Sequence, residues 1–248
     1  MKTPLTLNLE KSKSSLRLSL EKKGILTMPV LDMALIMDVS GSFKDEHDDG
    51  VTTDLMTRLA PWGLTFDPDK KLGVLTFSNG AASAHKVGEL TEQNYEGYVR
   101  RNIIGKVPGW CGATDYSYVL ELALKEFGWI ATEAKKAGFF GKMMGKKDEE
   151  AKTKKRSLVL FITDGDNNDK ARTMQVLRES EARKDEIYFL FLGIANGGGR
   201  FEFLEKIGDA FGNTGFREIT NLQDFVRKSD EDINAFLLDD ELVNWLKK

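Results

Sequence analysis

Chemistry can be read most directly from Asp38, Ser40 and Ser42, which stand at alternate positions in "MDVSGS" where an apolar run ends. Further along, "GWCGATDY" offers Thr114 with glycine on its approach, and "ITDGD" offers Asp164 with Gly165 behind it. Two carboxylates at close range repel, so one must be protonated or neutralised. A divalent cation resolves that conflict: Mg²⁺ takes hard oxygen ligands, keeps several waters and uses one or two carboxylates. Hydroxyls ligate without adding charge, so a cation held by this set retains affinity for one more anionic oxygen from outside.

The elements that must position these residues follow from hydropathy. Four apolar runs, "VLDMALIMD", "KLGVLTF", "RSLVLFITD" and "EIYFLFLGI", are unbroken rather than alternating, which predicts strands buried on both faces. "YSYVLELALKEFGWI" carries Val119, Leu122, Ala123 and Phe127 at helical spacing, and "ARTMQVLRESEARKD" does the same through Met174 and Leu177. A shorter strand is expected at "TGFREIT", before a C-terminal stretch in which Leu222, Phe225, Val226, Ile233 and Phe236 recur at helical intervals. Strands alternating with helices predict an α/β fold, a doubly wound, mainly parallel sheet with helices on both faces. In such sheets ligands bind beyond the carboxyl ends of the strands, which is where Asp38 and Asp164 fall.

The 248 residues suffice for one large domain, and 36 basic against 39 acidic residues, a formal charge of -3, do not suggest a nucleic-acid partner. The single cysteine, Cys111, excludes a disulfide framework and a cysteine zinc cluster and suits a reducing compartment. The first residues lack the continuous apolar segment of a signal peptide, and "IYFLFLGIA" is too short to span a bilayer. A cytoplasmic protein is therefore expected, with a peripheral place at the inner face of a membrane as an extension of that reading.

Two segments stand apart. Residues 1–28 carry alternating leucines, Leu5, Leu7 and Leu9, then Leu16, Leu18 and Leu20, which predicts an arm or a two-stranded hairpin ahead of a domain over residues 29–248. Residues 135–156 form a basic, glycine-containing insertion in which Phe139, Phe140, Met143 and Met144 sit among lysines. That insertion reads as a solvated loop, or as a patch for an anionic membrane surface or a partner.

In order and placement, "DVSGS", "GATD" and "TDG" resemble the metal-ion-dependent adhesion site of a von Willebrand factor A (vWA) domain, whose pattern is Asp-x-Ser-x-Ser, a distal Thr and a distal Asp. The resemblance runs from about Pro29 to the C-terminus and implies a Rossmann-like vWA fold. It implies Ser40, Ser42 and Thr114 as inner-shell ligands, Asp38 and Asp164 as inner or second shell, and a sixth position for a protein partner's Glu or Asp. Mg²⁺ is the implied ion, with Mn²⁺ or Ca²⁺ as alternatives; Ala113 stands where many members carry glycine. "DGVTTDLMTRLAPWGLTFDPDKKLGVLTFSNGA", "GATDYSYVLELAL" and "LTLNLEKSKSSLRLSLEKKGI" further resemble the bacterial TerF-type branch, linked to tellurium and toxic-cation resistance. That branch implies a non-catalytic intracellular adaptor acting in membrane-associated complexes.

Two other functions fit parts of the pattern. Asp38 at a strand end could serve a metal-dependent phosphohydrolase, but Ser40 replaces the second carboxylate, no "GxSxG" elbow occurs, and two histidines leave little for a triad. A membrane-surface protein using the basic insertion is the other. Several features have plainer readings: "KDEHDDG" as a helix beginning with His47 exposed, Asp166 and Asp169 as turn formers and N-caps, "ANGGGRF" as a flexible turn, and Cys111 as inert packing.

Overall fold

The computed structural model describes residues 7–131, 154–195, 198 and 200–248. Most of the basic insertion and part of "ANGGGRF" thus lie outside the described residues. Six strands build one sheet: β1 (Asp32–Asp38), β2 (Leu72–Phe77), β3 (His85–Leu90), β4 (Ser157–Thr163), β5 (Ile187–Ile194) and β6 (Thr214–Ile219), in the order β3-β2-β1-β4-β5-β6. All neighbours are parallel except β3, which runs antiparallel to β2 at the edge. Ile36 pairs with Leu75 on one side and Phe161 on the other.

The unbroken apolar runs are explained by two cores, one on each face. Leu35, Met37, Leu160 and Ile162 face α3 (Val51–Phe66), whereas Ile36, Phe77 and Phe161 face α5 (Ser117–Glu126) and α6 (Lys170–Arg183). At about 1.5–3 kcal/mol per fully buried large apolar side chain, this two-sided burial dominates the stability of the sheet. Between these elements lie α2 (Lys44–Asp48) and α4 (Tyr98–Asn102), and α7 (Glu202–Ala210) packs on β6. The C-terminal periodic stretch is three short helices, α8 (Leu222–Phe225), α9 (Asp230–Leu237) and α10 (Asp240–Leu246). Each is started by a capping side chain, Asn221, Ser229 and Asp239 respectively.

The leading segment corrects the hairpin expectation. Residues Leu9–Lys22 form a helix, α1, because Leu16 and Leu20 are one helical turn apart and both bury against α3 and α9. Leu18, which the alternation put on the same face, is 57% exposed. Asn8 caps the start by accepting from Lys11 N at 3.1 Å, and Gly24 (φ 79°) with Ile25 N donating to Leu20 O closes the end. α3 and β3 are additions to the sequence reading.

The strand order places a reversal beside β1. From β1 the chain winds outward through β2 and β3, then returns to β4 on the opposite side of β1 and continues to β6. The loops after β1 and β4 therefore leave adjacent strand ends in divergent directions, opening a crevice between them.

Candidate metal centre

At that crevice Asp38 closes β1 with its side chain fully buried, and both carboxylate oxygens are held. Oδ1 accepts from Ser40 N at 2.7 Å and Oδ2 from Thr163 Oγ1 at 2.6 Å. Ser40 Oγ lies 3.1 Å from Ser42 Oγ, and Ser42 Oγ donates to Asp164 Oδ1 at 3.0 Å. Thus Asp38, Ser40, Ser42 and Asp164 form one continuous chain, from a buried carboxylate to a half-buried one at the mouth.

The third loop is laid against this chain by its backbone. Gly41 N donates to Gly112 O and Cys111 N to Val39 O, both at 2.8 Å, so residues 111–112 run on from β1 like a fragment of an extra strand. Gly109 (φ 74°) and Gly112 are needed because a Cβ there would meet Ser78 Oγ at 2.2 Å and 2.7 Å respectively. Thr114 follows, buried, and its carbonyl accepts from Asn168 N at 2.9 Å, tying its loop to the one that carries Asp164. All five expected residues therefore belong to three adjoining loops, four of them in one bonded chain.

Electrostatically the site is short of positive charge. Burial pushes the Asp38 carboxyl up to about 6, against the hydrogen bonds from Thr163 and Ser40. Burial, then the charge of Asp38, pushes Asp164 up to about 7, with Glu46 adding to the rise and Ser42 opposing it. Among the described residues neither carboxylate forms an ion pair, and no group of three or more His, Cys, Asp or Glu side chains could hold a metal. A cation here would depend on the hydroxyls and on water as much as on two carboxylates, which is the ligand chemistry of Mg²⁺ rather than of Zn²⁺. The residues present fit such an ion.

Supporting residues that the sequence reading passed over surround this chain. His47 is buried, not exposed: one ring nitrogen is 2.9 Å from Asp38 O and the other 2.9 Å from Thr52 Oγ1. Its ring packs against Phe43 and Trp110, and burial lowers its pKa to about 4. Helix α2 does begin at the acidic run, with Asp45 and Glu46 in its first turn, but His47 stands one turn beyond the buried Phe43 and shares its inward face, over the end of β1. Asp169 does not cap its own helix; its carboxylate accepts from Tyr116 N and Ser117 N, both at 3.0 Å, and so caps α5. Asp166 behaves as a turn former, accepting from Asn167 N at 3.0 Å. Cys111, at a positive φ of 62°, is exposed rather than packed. Thr163 opens the "TDG" that carries Asp164, and Tyr116 lies two residues beyond Thr114.

The fold and the crevice define an α/β protein of the vWA type. The chain belongs to the vWA-TerF-like family, described as the vWA found in the TerF C terminus, whose model matches residues 30–248. It is 25% identical over 241 residues to uncharacterized protein YcbR of Bacillus subtilis (strain 168), covering 95% of this chain and 85% of that one. Among solved structures it is similar to proximal thread matrix protein 1 from the mussel byssus, with a TM-score of 0.52 at 15% identity. That likeness, a matter of fold alone, covers 85% of this chain and 48% of the mussel protein, so this chain spans about half of the mussel protein's length. The TFIIH p34 N-terminal domain is also similar, with a TM-score of 0.47 at 15% identity, covering 81% of this chain and 95% of that domain.

Proposed function

We propose that the protein is a metal-dependent protein-interaction module in which Asp38, Ser40, Ser42, Thr114 and Asp164 hold Mg²⁺, or Mn²⁺ or Ca²⁺ in its place. The observation that carries the reading is the continuous chain from Asp38 through Ser40 and Ser42 to Asp164, with both carboxyls raised by burial and Asp164 raised further by the charge of Asp38. When bound, the ion supplies an electrophilic position for a carboxylate from a partner protein. This chain's own residues orient the ligand oxygens and bury the first carboxylate so that it answers to the ion rather than to water.

The reading is non-catalytic and draws on the histidines: His47 is engaged on both ring nitrogens, and His85 sits at the start of the edge strand β3. Membership in the vWA-TerF-like family supports a role as adaptor in a tellurium, toxic-cation or other stress-resistance system of a bacterial cytoplasm, within a complex at the membrane. Among the described residues no helix is long and apolar enough to cross a membrane.

Titration calorimetry with Mg²⁺ and with Mn²⁺, followed by partner capture from the native host with Mg²⁺ or with chelator, tests the proposal. Wild type should bind the ion and capture its partner with Mg²⁺ but not with chelator, and Asp38→Ala should bind neither ion nor partner. Partner binding that is indifferent to chelator and to Asp38→Ala would overturn the mechanism.

A further inference from the structure

One buried side chain touches the apparatus of all three loops. Tyr116, two residues beyond Thr114, is fully buried, and its hydroxyl donates to the carbonyl of Gly165, the residue after Asp164. The same oxygen lies 3.2 Å from Thr163 Oγ1, and Thr163 Oγ1 donates to Asp38 Oδ2 at 2.6 Å. The ring is held edge-on between Phe77 and Phe161, with centroids 5.6 Å and 4.9 Å away, so the core sets where the hydroxyl sits.

A count of protons shows why the hydroxyl matters. Thr163 has one proton and two acceptors within reach, Asp38 Oδ2 at 2.6 Å and Gly165 O at 3.4 Å. By donating to Gly165 O, Tyr116 satisfies that carbonyl and leaves the Thr163 proton to Asp38. Asp38 is then gripped on both oxygens, by Ser40 N and Thr163 Oγ1, and its orientation is settled before any ion arrives. Asp169 reinforces the same junction from the other side through Tyr116 N and Ser117 N.

We propose that Tyr116 is a positioning residue of the candidate metal centre. It sets the spacing between the Thr114 and Asp164 loops and commits the Thr163 proton to Asp38, preassembling a site for an oxygen-liganded divalent cation. The inference rests on the metal-binding reading above.

Mn²⁺ alone is the probe, with affinity from calorimetry and the paramagnetic resonance spectrum of the saturated protein as two readouts. Tyr116→Phe keeps the ring and removes only the hydroxyl. It should weaken Mn²⁺ binding about 10- to 100-fold, the usual effect of losing a group that orients a ligand. It should also change the spectrum of the bound ion while thermal melting shows an intact fold. Thr163→Val should give a comparable loss, and the double variant no more than the larger single loss, since both act on Asp38. Wild-type affinity and spectrum in Tyr116→Phe overturn the positioning role and leave the metal reading standing. So does weaker binding with an unchanged saturated spectrum, or simple addition of the two losses. Failure of wild type itself to bind Mn²⁺ overturns the metal reading and this inference with it. Should Tyr116→Phe not fold, the spectrum of Thr163→Val decides in the same way.

Discussion

Ser42 Oγ donates to Asp164 Oδ1 at 3.0 Å, joining two residues 122 positions apart in the chain. That bond spans the crevice where the strand order reverses and brings the β1 loop within reach of the β4 loop. Without a cation, Ser42 is the group that bonds directly to the Asp164 carboxylate across the gap, and its hydroxyl opposes the rise in the Asp164 pKa that burial and Asp38 produce.

The first prediction concerns pH. Asp164 titrates at about 7, above its unfolded value, so the folded state holds its proton more tightly. The stabilisation from that proton is complete at low pH and is lost as pH rises from the unfolded value of about 4 through 7. Asp164→Asn should therefore gain melting temperature relative to wild type on going from about pH 5 to about pH 8 without metal. Millimolar Mg²⁺ should erase that gain by stabilising only wild type. Thermal melts at both pH values, with and without Mg²⁺, make the comparison; parallel curves for the two proteins would contradict it.

His47 carries the opposite sign. Its folded pKa of about 4 lies below the unfolded value of about 6.5, so its contribution is present above 6.5 and fades as pH falls toward 4. His47→Ala removes a buried ring and two hydrogen bonds at 2.9 Å, and should cost about 2–4 kcal/mol in urea denaturation at neutral pH. The deficit should shrink in acid. A cost that stays constant down to about pH 4 would mean that the ring is not held neutral in the fold.

Asp169 should matter to a helix it does not precede. Asp169→Ala strips the acceptor from Tyr116 N and Ser117 N and should destabilise the protein by about 1–2 kcal/mol, the range for losing a cap. Hydrogen exchange should rise at the start of α5 more than at the start of α6, since within its own helix the carboxylate accepts from the Thr173 hydroxyl at 3.0 Å but caps no backbone N–H. Its pKa is lowered by the same hydrogen bonds, which prevail over burial. The contribution is thus present at neutral pH and lost in acid, as the pH falls through the depressed folded value.

Leu16 and Leu20 distinguish a packed helix from a loose arm. Both are buried against α3 and α9, so Leu16→Ala and Leu20→Ala should each cost about 2–5 kcal/mol in chemical denaturation. Leu18→Ala, at a position 57% exposed, should cost little. Equal, small effects at all three positions would restore the arm.

The candidate site residues stand out in the sequence by type and spacing: alternate serines after a strand-ending aspartate, a glycine-approached threonine, and an aspartate before glycine. The central strands were legible for a related reason, since burial on both faces leaves no polar position in the run. The N-terminal leucines misled because positions 16, 18 and 20 satisfy a period of two, while 16 and 20 alone satisfy a helix; only packing against α3 and α9 chose between them. His47 misled because acidic neighbours suggest solvent, whereas it lies one turn from Phe43 on the face of α2 that packs inward.

By itself, then, the amino-acid sequence singled out the candidate residues for a cation site and determined how the central strands would be buried and the α/β class of the fold. Those properties are local: each depends on residue type and short-range spacing. Only the tertiary structure decided that β1 and β4 are neighbours and that Tyr116, Thr163, His47 and Asp169 brace the three loops. The bonds that brace the site join residues up to 125 positions apart, and such pairings arise from the packing of the sheet rather than from any spacing along the chain.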